Sequence, residues 1–302
     1  MSEVGVEAEA EALGRAQRAS PQALRRRLLL RRFLRRPLAV IGLLVAVTFI
    51  AAAVFAPWVA PYSASATDFE ALLTKPSVHD HLLGTDELGR DILSRIIWGA
   101  RASIQAGVFA TLLAIGIAVP IGLVAGYYRG WADLVISRIT DVLLAFPFLI
   151  LAVGLAAILG PSLLNATLAI GIGAVPGLIR IARGETLALR EEDYVRAAVA
   201  NGASDAVVLG RHIVPNMMST LLVQATVTVP AAIIGEAALS FLGLGVQPPT
   251  PSWGVMLADA QSYLSEAPRL ALYPGLAIFL CSLSFNLLGD GLRDVFDPRT
   301  RR

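Results

Sequence analysis

Charged residues are scarce in this sequence of 302 residues: 16% are Asp, Glu, Lys or Arg, while 56% are hydrophobic. Soluble domains carry about 25% charged residues. The shortage argues against an ordinary soluble domain and favours a membrane protein. Cysteine occurs once, as Cys281 within the apolar string IFLCSLSF, so no disulfide can form within the chain. We expect this thiol to pack in the protein interior.

Lysine also occurs only once, as Lys75 in the string LLTKPS. A phosphate-binding P-loop requires Gly-x-x-x-x-Gly-Lys-Ser/Thr, and this lysine does not lie in one. The HExxH, GxGD and GxSxG patterns are absent as well. We therefore predict that the chain is not an enzyme and holds no cofactor. His79 and His81 flank Asp80, but a metal site would need further converging ligands, so we predict no metal site.

Long apolar runs are abundant instead. Six of them contain no Asp, Glu, Lys, Arg or His. At 1.5 Å per residue, helices of about 17 to 23 residues cross the roughly 30 Å hydrocarbon core of a bilayer. The sequence therefore predicts an all-α membrane protein with six transmembrane helices, the first retained and not cleaved as a signal peptide. The runs occupy residues 38–56, 104–126, 142–159, 163–179, 216–235 and 270–288.

Basic residues are distributed unevenly between the segments that join these runs. If the N-terminus lies inside, the inner segments hold 20 of the 25 Lys and Arg residues. The positive-inside rule then predicts that both termini are cytoplasmic. Residues 1–36 would form a cytoplasmic N-terminal tail, disordered or loosely helical over 1–24, and residues 293–302 a cytoplasmic C-terminal tail.

The inner segment 180–215 has a helical composition. The pattern predicts a helix over 184–201 that stops at Asn201 and Gly202. Ser204 and Asp205 would start a second helix that ends before Pro215. Five basic residues balance five acidic ones here, whereas a lipid-binding helix would carry a basic excess. This neutral segment therefore favours docking of a protein partner.

Within that segment, AAVANG followed by HIVP resembles the Glu-Ala-Ala-x-x-x-Gly … Ile-x-Leu-Pro loop of importer-type ABC transporter permeases. In that family the loop is the coupling helix that docks into a cleft of the ATP-hydrolysing subunit. Arg196 departs from the motif at the Glu position, and His212 and Val214 stand near its Ile and Leu positions. The resemblance implies a docking set of Glu192, Asp193, Tyr194, Val195, Arg196, Ala197, Ala198, Gly202, Ala203 and Pro215, with Tyr194 and Val195 as apolar anchors.

Three further stretches resemble the second permease subunit of dipeptide and oligopeptide ABC importers. They are LGTDELGRDILSRIIWGARASI at 83–104, EAALSFLGLGVQPPTPSWGVML at 236–257 and LSFNLLGDGLRDVFDPR at 283–299. The resemblance runs in order from about residue 32 to residue 299. It implies the type I ABC importer permease fold in a bacterial plasma (inner) membrane. The expected regions are a first transmembrane helix with an extracytoplasmic segment (37–98) and the importer transmembrane domain (99–292), which includes the coupling loop 180–215.

The resemblance also implies partners. They are a homologous permease subunit that completes a heterodimer, one or two ABC ATPase subunits that bind ATP and Mg²⁺, an extracytoplasmic substrate-binding protein and the lipid bilayer, with no nucleic acid. Di- or oligopeptides would be the cargo, although relatives of this type carry nickel, glutathione or another small solute. An ATP-independent carrier is disfavoured because such carriers usually hold ionisable residues within the membrane. A membrane scaffold that transports nothing is a further alternative.

The outer segments offer candidates for a docking surface and a gate. Residues 83–101 predict an amphipathic helix on the outer membrane face, with Thr85 or Asp86 as its cap and an i,i+4 pair of Asp91 and Arg95. Residues 243–266 predict a short helix in which Trp253 and Tyr263 anchor at the membrane interface. Glu236 would form a structural hydrogen bond at a helix end or contact cargo or a gate. The candidates are Asp86, Arg90, Asp91, Glu236 and Trp253.

Two glycines in the second run, Gly122 and Gly126, have GxxxG spacing. Such spacing lets helices approach closely in a membrane. We expect a close helix contact at this point, either as fixed core packing or as an interface that moves during transport.

Overall fold

The computed structural model describes residues 31–296, so most of the two predicted tails lies outside the described residues. Within that range the secondary structure is helical apart from one isolated bridge between Thr85 and Asp91. This confirms the prediction of an all-α protein. The helices are α1 (Pro37–Val54), α2 (Ala56–Val59), α3 (Ile92–Tyr128), α4 (Gly130–Leu144), α5 (Phe148–Leu159), α6 (Leu163–Arg190), α7 (Asp193–Ala200), α8 (Asp205–Phe241), α9 (Trp253–Ala260), followed by a 3₁₀ turn (Gln261–Tyr263), and α10 (Arg269–Phe296).

Five of the described helices, α1, α3, α6, α8 and α10, are long and apolar enough to cross a membrane. The third predicted span differs from expectation, because the run 142–159 falls on two helices, α4 and α5, whose axes are bent by 88°. Pro147 lies at the break. Proline lacks the N–H that continues a helix, and it disfavours helical geometry at the preceding residue. The six predicted spans are therefore found only if the bent pair counts as one.

The central packing joins α3 to α6 along much of their length. A Cβ placed on Gly122 would lie 2.6 Å from the Cβ of Ala182, and one on Gly126 would lie 2.7 Å from the Cβ of Thr186. The predicted close contact at the GxxxG pair is thus confirmed. Lipid tails are as apolar as the helices, so association inside a bilayer relies on such close packing of small residues.

We predict that Gly122→Ala lowers the free energy of unfolding of the protein in detergent by about 1–3 kcal/mol, because the added methyl group overpacks the α3–α6 contact. The backbone nitrogen of Arg183 would lie only 2.9 Å from the new Cβ, so a side-chain rotation cannot relieve the crowding. Gly116→Ala on the same helix is the matched control, since no described atom lies within 4 Å of its Cβ position. Equal melting temperatures for the two variants would contradict the prediction.

The remaining spans pack around this pair. Helix α10 lies against α1 and α8, and Cys281 on α10 is completely buried beside Ala277 and Phe285. The expectation that this thiol packs in the interior is confirmed. Helix α8 contacts α3, α6 and α10, so it runs through the middle of the bundle.

Candidate functional site

Helix α7 follows directly after α6 and carries most of the predicted docking residues. Asn201 follows the last residue of α7, and Gly202 takes the left-handed conformation with φ of +79°. The N–H of Gly202 donates to the carbonyl of Val199 at 2.9 Å, and the N–H of Ala203 donates to that of Ala198 at 3.1 Å. These two bonds form a Schellman motif, the usual glycine-based end of a helix. The predicted stop at Asn201 and Gly202 is confirmed.

Two expected boundaries of this segment were wrong. The helix predicted over 184–201 is interrupted at Glu191 and Glu192, which separate α6 from α7. The second helix does not end before Pro215. It continues through π-helical turns at Val208–Ile213 into the membrane span. Pro215 lies in the first turn after those π-helical turns, where a missing N–H is tolerated.

The role predicted for Val195 was also wrong. The sequence suggested an anchor for a partner protein, but the side chain is 1% exposed and packs with Tyr127, Val208 and Ile213. It therefore fastens α7 to the ends of α3 and α8. A hydrogen bond of 2.8 Å from Tyr127 Oη to Asp205 Oδ1 strengthens the same junction.

The opposite face of α7 is open. Arg196 Nη2 donates to Glu191 Oε2 at 2.7 Å, and Glu191 also pairs with Arg129. The hydrogen bond from Arg196 and, to a lesser extent, the one from Arg129 lower the pKa of Glu191, so this carboxylate stays ionised. Of the predicted docking residues, seven are exposed, two are half-buried and one is buried. The exposed residues are Glu192, Asp193, Tyr194, Arg196, Ala197, Gly202 and Pro215, and the half-buried ones are Ala198 and Ala203.

An ion pair that the sequence did not reveal supports this region from the side. Arg183 on α6 reaches Asp133 on α4, with 2.7 Å between Nη2 and Oδ2. Arg190 Nη1 donates to the carbonyl of Tyr127 at 2.6 Å. The partners lie 50 and 63 positions apart in the chain, and no local pattern pairs residues over such separations.

At the other end of α3, the amphipathic helix predicted over 83–101 is found only in its second half, which forms the first turns of α3. Residues 83–91 form a loop, and α3 begins at Ile92. Asp91 is the N-cap, because its Oδ2 accepts from the backbone N–H of Ser94 at 2.8 Å. Asp91 therefore does not pair with Arg95, and neither Thr85 nor Asp86 caps the helix. A cap turns the side chain of Asp91 back over the first turn, away from the i+4 position.

Arg95 belongs instead to a largely buried ion cluster, defined here as Asp86, Glu87, Arg90, Arg95 and Asp259. Arg90 Nε lies 2.7 Å from Asp86 Oδ2, and Arg95 Nη2 lies 3.2 Å from Asp259 Oδ2. Burial, followed by the adjacent Asp86 carboxylate, raises the pKa of Glu87. The cluster joins the loop 83–91 to α9. Three of its members are nearly inaccessible, Asp86, Arg90 and Arg95, so it holds the loop against α9 from within.

Glu236 is also engaged inside the chain. Its Oε2 accepts from Ser103 Oγ and its Oε1 from Ser240 Oγ, both at 2.7 Å. Ser240 Oγ in turn accepts from the backbone N–H of Val246 at 3.0 Å. Glu236 is completely buried. Of the two alternatives for Glu236, these contacts correspond to the structural hydrogen bond, here between α3, α8 and the loop after α8.

Trp253 is not the exposed interface anchor that the sequence predicted. The ring is completely buried, its Nε1 donates to the carbonyl of Ile96 at 3.1 Å, and its edge meets Phe49 at 5.7 Å between ring centroids. An indole whose N–H finds a partner can be fully buried. His81 is occupied as well, with Nδ1 2.9 Å from Asp91 Oδ1. Among residues 31–296, no group of three or more His, Cys, Asp or Glu side chains converges as metal ligands.

Two known protein families match this chain. Residues 118–302 match the family of binding-protein-dependent transport system inner membrane components, and residues 25–76 match the N-terminal transmembrane domain of oligopeptide transport permease C. The chain belongs to this permease family. It is therefore a multi-pass inner-membrane component of an ABC transporter, is not itself an enzyme, and carries no cofactor.

Relatives of this permease are similar over nearly their whole length. The dipeptide transport system permease protein DppC of Alkalihalophilus pseudofirmus is 46% identical over 264 residues, which cover 87% of this chain and 86% of that protein. The glutathione transport system permease protein GsiD of Pectobacterium atrosepticum is 47% identical over 272 residues, or 90% of both chains. GsiD of Escherichia coli O157:H7 is 46% identical over 272 residues, or 90% of this chain and 89% of that one. These matches confirm the resemblance to the second permease of peptide importers.

Proposed function

We propose that this permease forms half of the translocation path of an ATP-driven importer for peptide-like solutes. The relatives transport dipeptides and glutathione, as their names state, and this supports the same class of cargo, since glutathione is itself a modified peptide. A homologous permease would complete the path, and an extracytoplasmic binding protein would deliver the solute. No observation favours nickel as the cargo.

One observation supports coupling to ATP hydrolysis, namely the way in which α7 is held. The helix is held to the membrane spans by buried Val195 and ends in a glycine turn, and its other face is exposed and bears Arg196 and Ala197. A short helix that is fixed on one side and open on the other can dock into a partner and move with it as a rigid body. We infer that one or two ABC ATPase subunits dock on this face.

The proposed orientation places α7 and both termini in the cytoplasm. The excess of Lys and Arg in the segments that would then be internal supports it. The ion cluster would then face the extracytoplasmic side, together with the loop 83–91 and α9. There they would support the surface on which the binding protein docks, with Asp86, Arg90, Asp91, Glu236 and Trp253 holding that surface in shape from beneath.

A cysteine cross-linking experiment tests docking and orientation together. In the assembled transporter, Ala197→Cys on the exposed face of α7 is expected to cross-link to an ATPase subunit and to react with membrane-impermeant maleimide only from the cytoplasmic side. Ser65→Cys, exposed in the segment after α2, is the control that should react from the opposite side. Cross-links from Ala197→Cys to the binding protein, or labelling of both positions from one side, would overturn the proposal.

A further inference from the structure

Helix α8 carries polar side chains along one face within an otherwise apolar span. Asn216, Thr220, Gln224 and Thr228 recur at intervals of four residues, and Ser219 follows Asn216 by three. Residues with this spacing lie on one side of an α-helix. Polar groups that face lipid are costly, so a polar stripe on a membrane helix marks a surface that meets water, protein or solute.

The same stripe lines two neighbouring cavities. One, of about 580 Å³, lies between α8, Glu185 on α6 and Arg293 on α10. The other, of about 230 Å³, lies between α8, α6, Ala110 on α3 and Phe148 on α5. Gln224 and Val227 line both cavities, so together the cavities follow one side of α8 into the membrane. The larger has the volume typical of a small-molecule site.

Gln224 shows which environment this face requires. Its side-chain amide is half-buried, and among the residues that the structure describes it makes no hydrogen bond. An amide without a partner costs several kilocalories per mole in hydrocarbon but little in water. Leu222, two residues earlier and on the far side of the helix, is 47% exposed and lines neither cavity. The amide of Gln224 therefore requires water, solute or another protein at this face, whereas Leu222 on the far side does not.

The larger cavity also presents one acid and one base from two different helices. Glu185 Oε1 accepts from Thr220 Oγ1 at 3.0 Å, which orients the carboxylate and leaves its second oxygen available. Arg293 is exposed and forms neither an ion pair nor a hydrogen bond with any residue between 31 and 296. Ionised donors and acceptors make the stronger hydrogen bonds, and a guanidinium matches a carboxylate in shape. A solute with an ammonium group and a carboxylate complements such a pair.

We propose that the polar stripe of α8 is this permease's wall of the cargo path, and that the larger cavity is an exit site for a zwitterionic peptide-like solute. Arg293 binds the solute carboxylate, Glu185 binds its ammonium group, and Gln224 meets the peptide backbone on the way. This assignment rests on the proposed import of peptide-like solutes and names the residues that recognise them.

The test uses the complete transporter in nanodiscs and a water-soluble thiol reagent. Gln224→Cys is expected to react with the reagent. Dialanine should slow this modification by about tenfold, which corresponds to one or two charge-assisted contacts with the solute. N-acetyl-dialanine amide, which lacks both charges, should protect little. Leu222→Cys on the lipid side is the matched control and should stay unreactive. Adding Arg293→Gln or Glu185→Gln to Gln224→Cys should remove most of the protection.

Several results would overturn the assignment. Gln224→Cys could react no faster than Leu222→Cys, which means that another protein surface covers the stripe. Charged and neutral peptides could protect equally, or protection could survive both charge variants; either result removes the role of Arg293 and Glu185. Any of these results rules out the assignment alone if the unmodified transporter still imports dialanine into proteoliposomes. If the unmodified transporter imports neither dialanine nor glutathione, the proposed function itself is wrong.

Discussion

Gly202→Val is expected to reduce solute uptake by at least about tenfold while ATP hydrolysis by the complex and insertion of the permease continue. Gly202 has a φ of +79°, and a side chain there costs roughly 1–2 kcal/mol, more for a β-branched one. The cost arises in the backbone, since no described atom lies within 4 Å of the Cβ position. To relieve it, the turn must open, and α7 would then leave the orientation in which it docks. A valine would also crowd any partner that approaches the bare backbone at this point.

Two companion variants separate this effect from a general loss of stability. Gly202→Asn should retain most uptake, because asparagine tolerates the left-handed conformation. Gly210→Val places the same side chain eight positions away, where φ is not positive and the Cβ position is also open. Uptake and ATP turnover are measured in proteoliposomes. If Gly202→Val and Gly210→Val transport equally well, α7 is not the coupling element.

Glu236→Ala is expected to destabilise the protein by about 3 kcal/mol and to abolish most uptake. The change removes the acceptor for Ser103 and Ser240 in a fully buried position, and it opens a cavity between α3 and α8. Ser240 holds the backbone of Val246, so the loop after α8 should loosen as well. Protease sensitivity of that loop, with the thermal unfolding midpoint in detergent, provides the measurement.

Glu236→Gln and Glu266→Ala are the controls for this prediction. The glutamine keeps the size of the side chain and one carbonyl acceptor, so it should lose much less stability than the alanine variant. Glu266 is an exposed carboxylate in the segment between α9 and α10, and its removal should leave both stability and uptake near normal. A Glu236→Ala variant that melts with the unmodified protein would rule out the structural role of this carboxylate.

Much of the membrane architecture follows from the sequence because hydrocarbon imposes simple rules. Uninterrupted apolar runs located five spans, and the pair Gly122 and Gly126 correctly indicated a close contact. The bend between α4 and α5 was missed, although Pro147 lay within the predicted run. Prolines at 120, 176, 230 and 274 lie inside continuous helices, so the residue type alone does not distinguish a break from a tolerated proline.

The polar regions were harder to predict for a different reason. The spacing of Asp91 and Arg95 predicted a local pair, but Arg95 turns to Asp259, 164 positions away. Val195 looked like an external anchor because its inward neighbours, Val208 and Ile213, come from a later helix. Periodicity identifies one face of a helix but not what covers that face. The C-terminal end of α7 was predictable because the chemistry of its glycine turn is local, whereas its start was not.

The absence of any loop between the start of α8 and its membrane part restricts how this chain can change. Asp205–Phe241 is one run of 37 residues, so the arm next to α7 and the polar stripe keep a fixed angular relationship. Adding or deleting one residue between 205 and 216 would turn the stripe by about 100° relative to α7. The extra width of the π-helical turns at Val208–Ile213 sets that phase. Exposed side chains along this arm can therefore be exchanged more easily than its length can be changed.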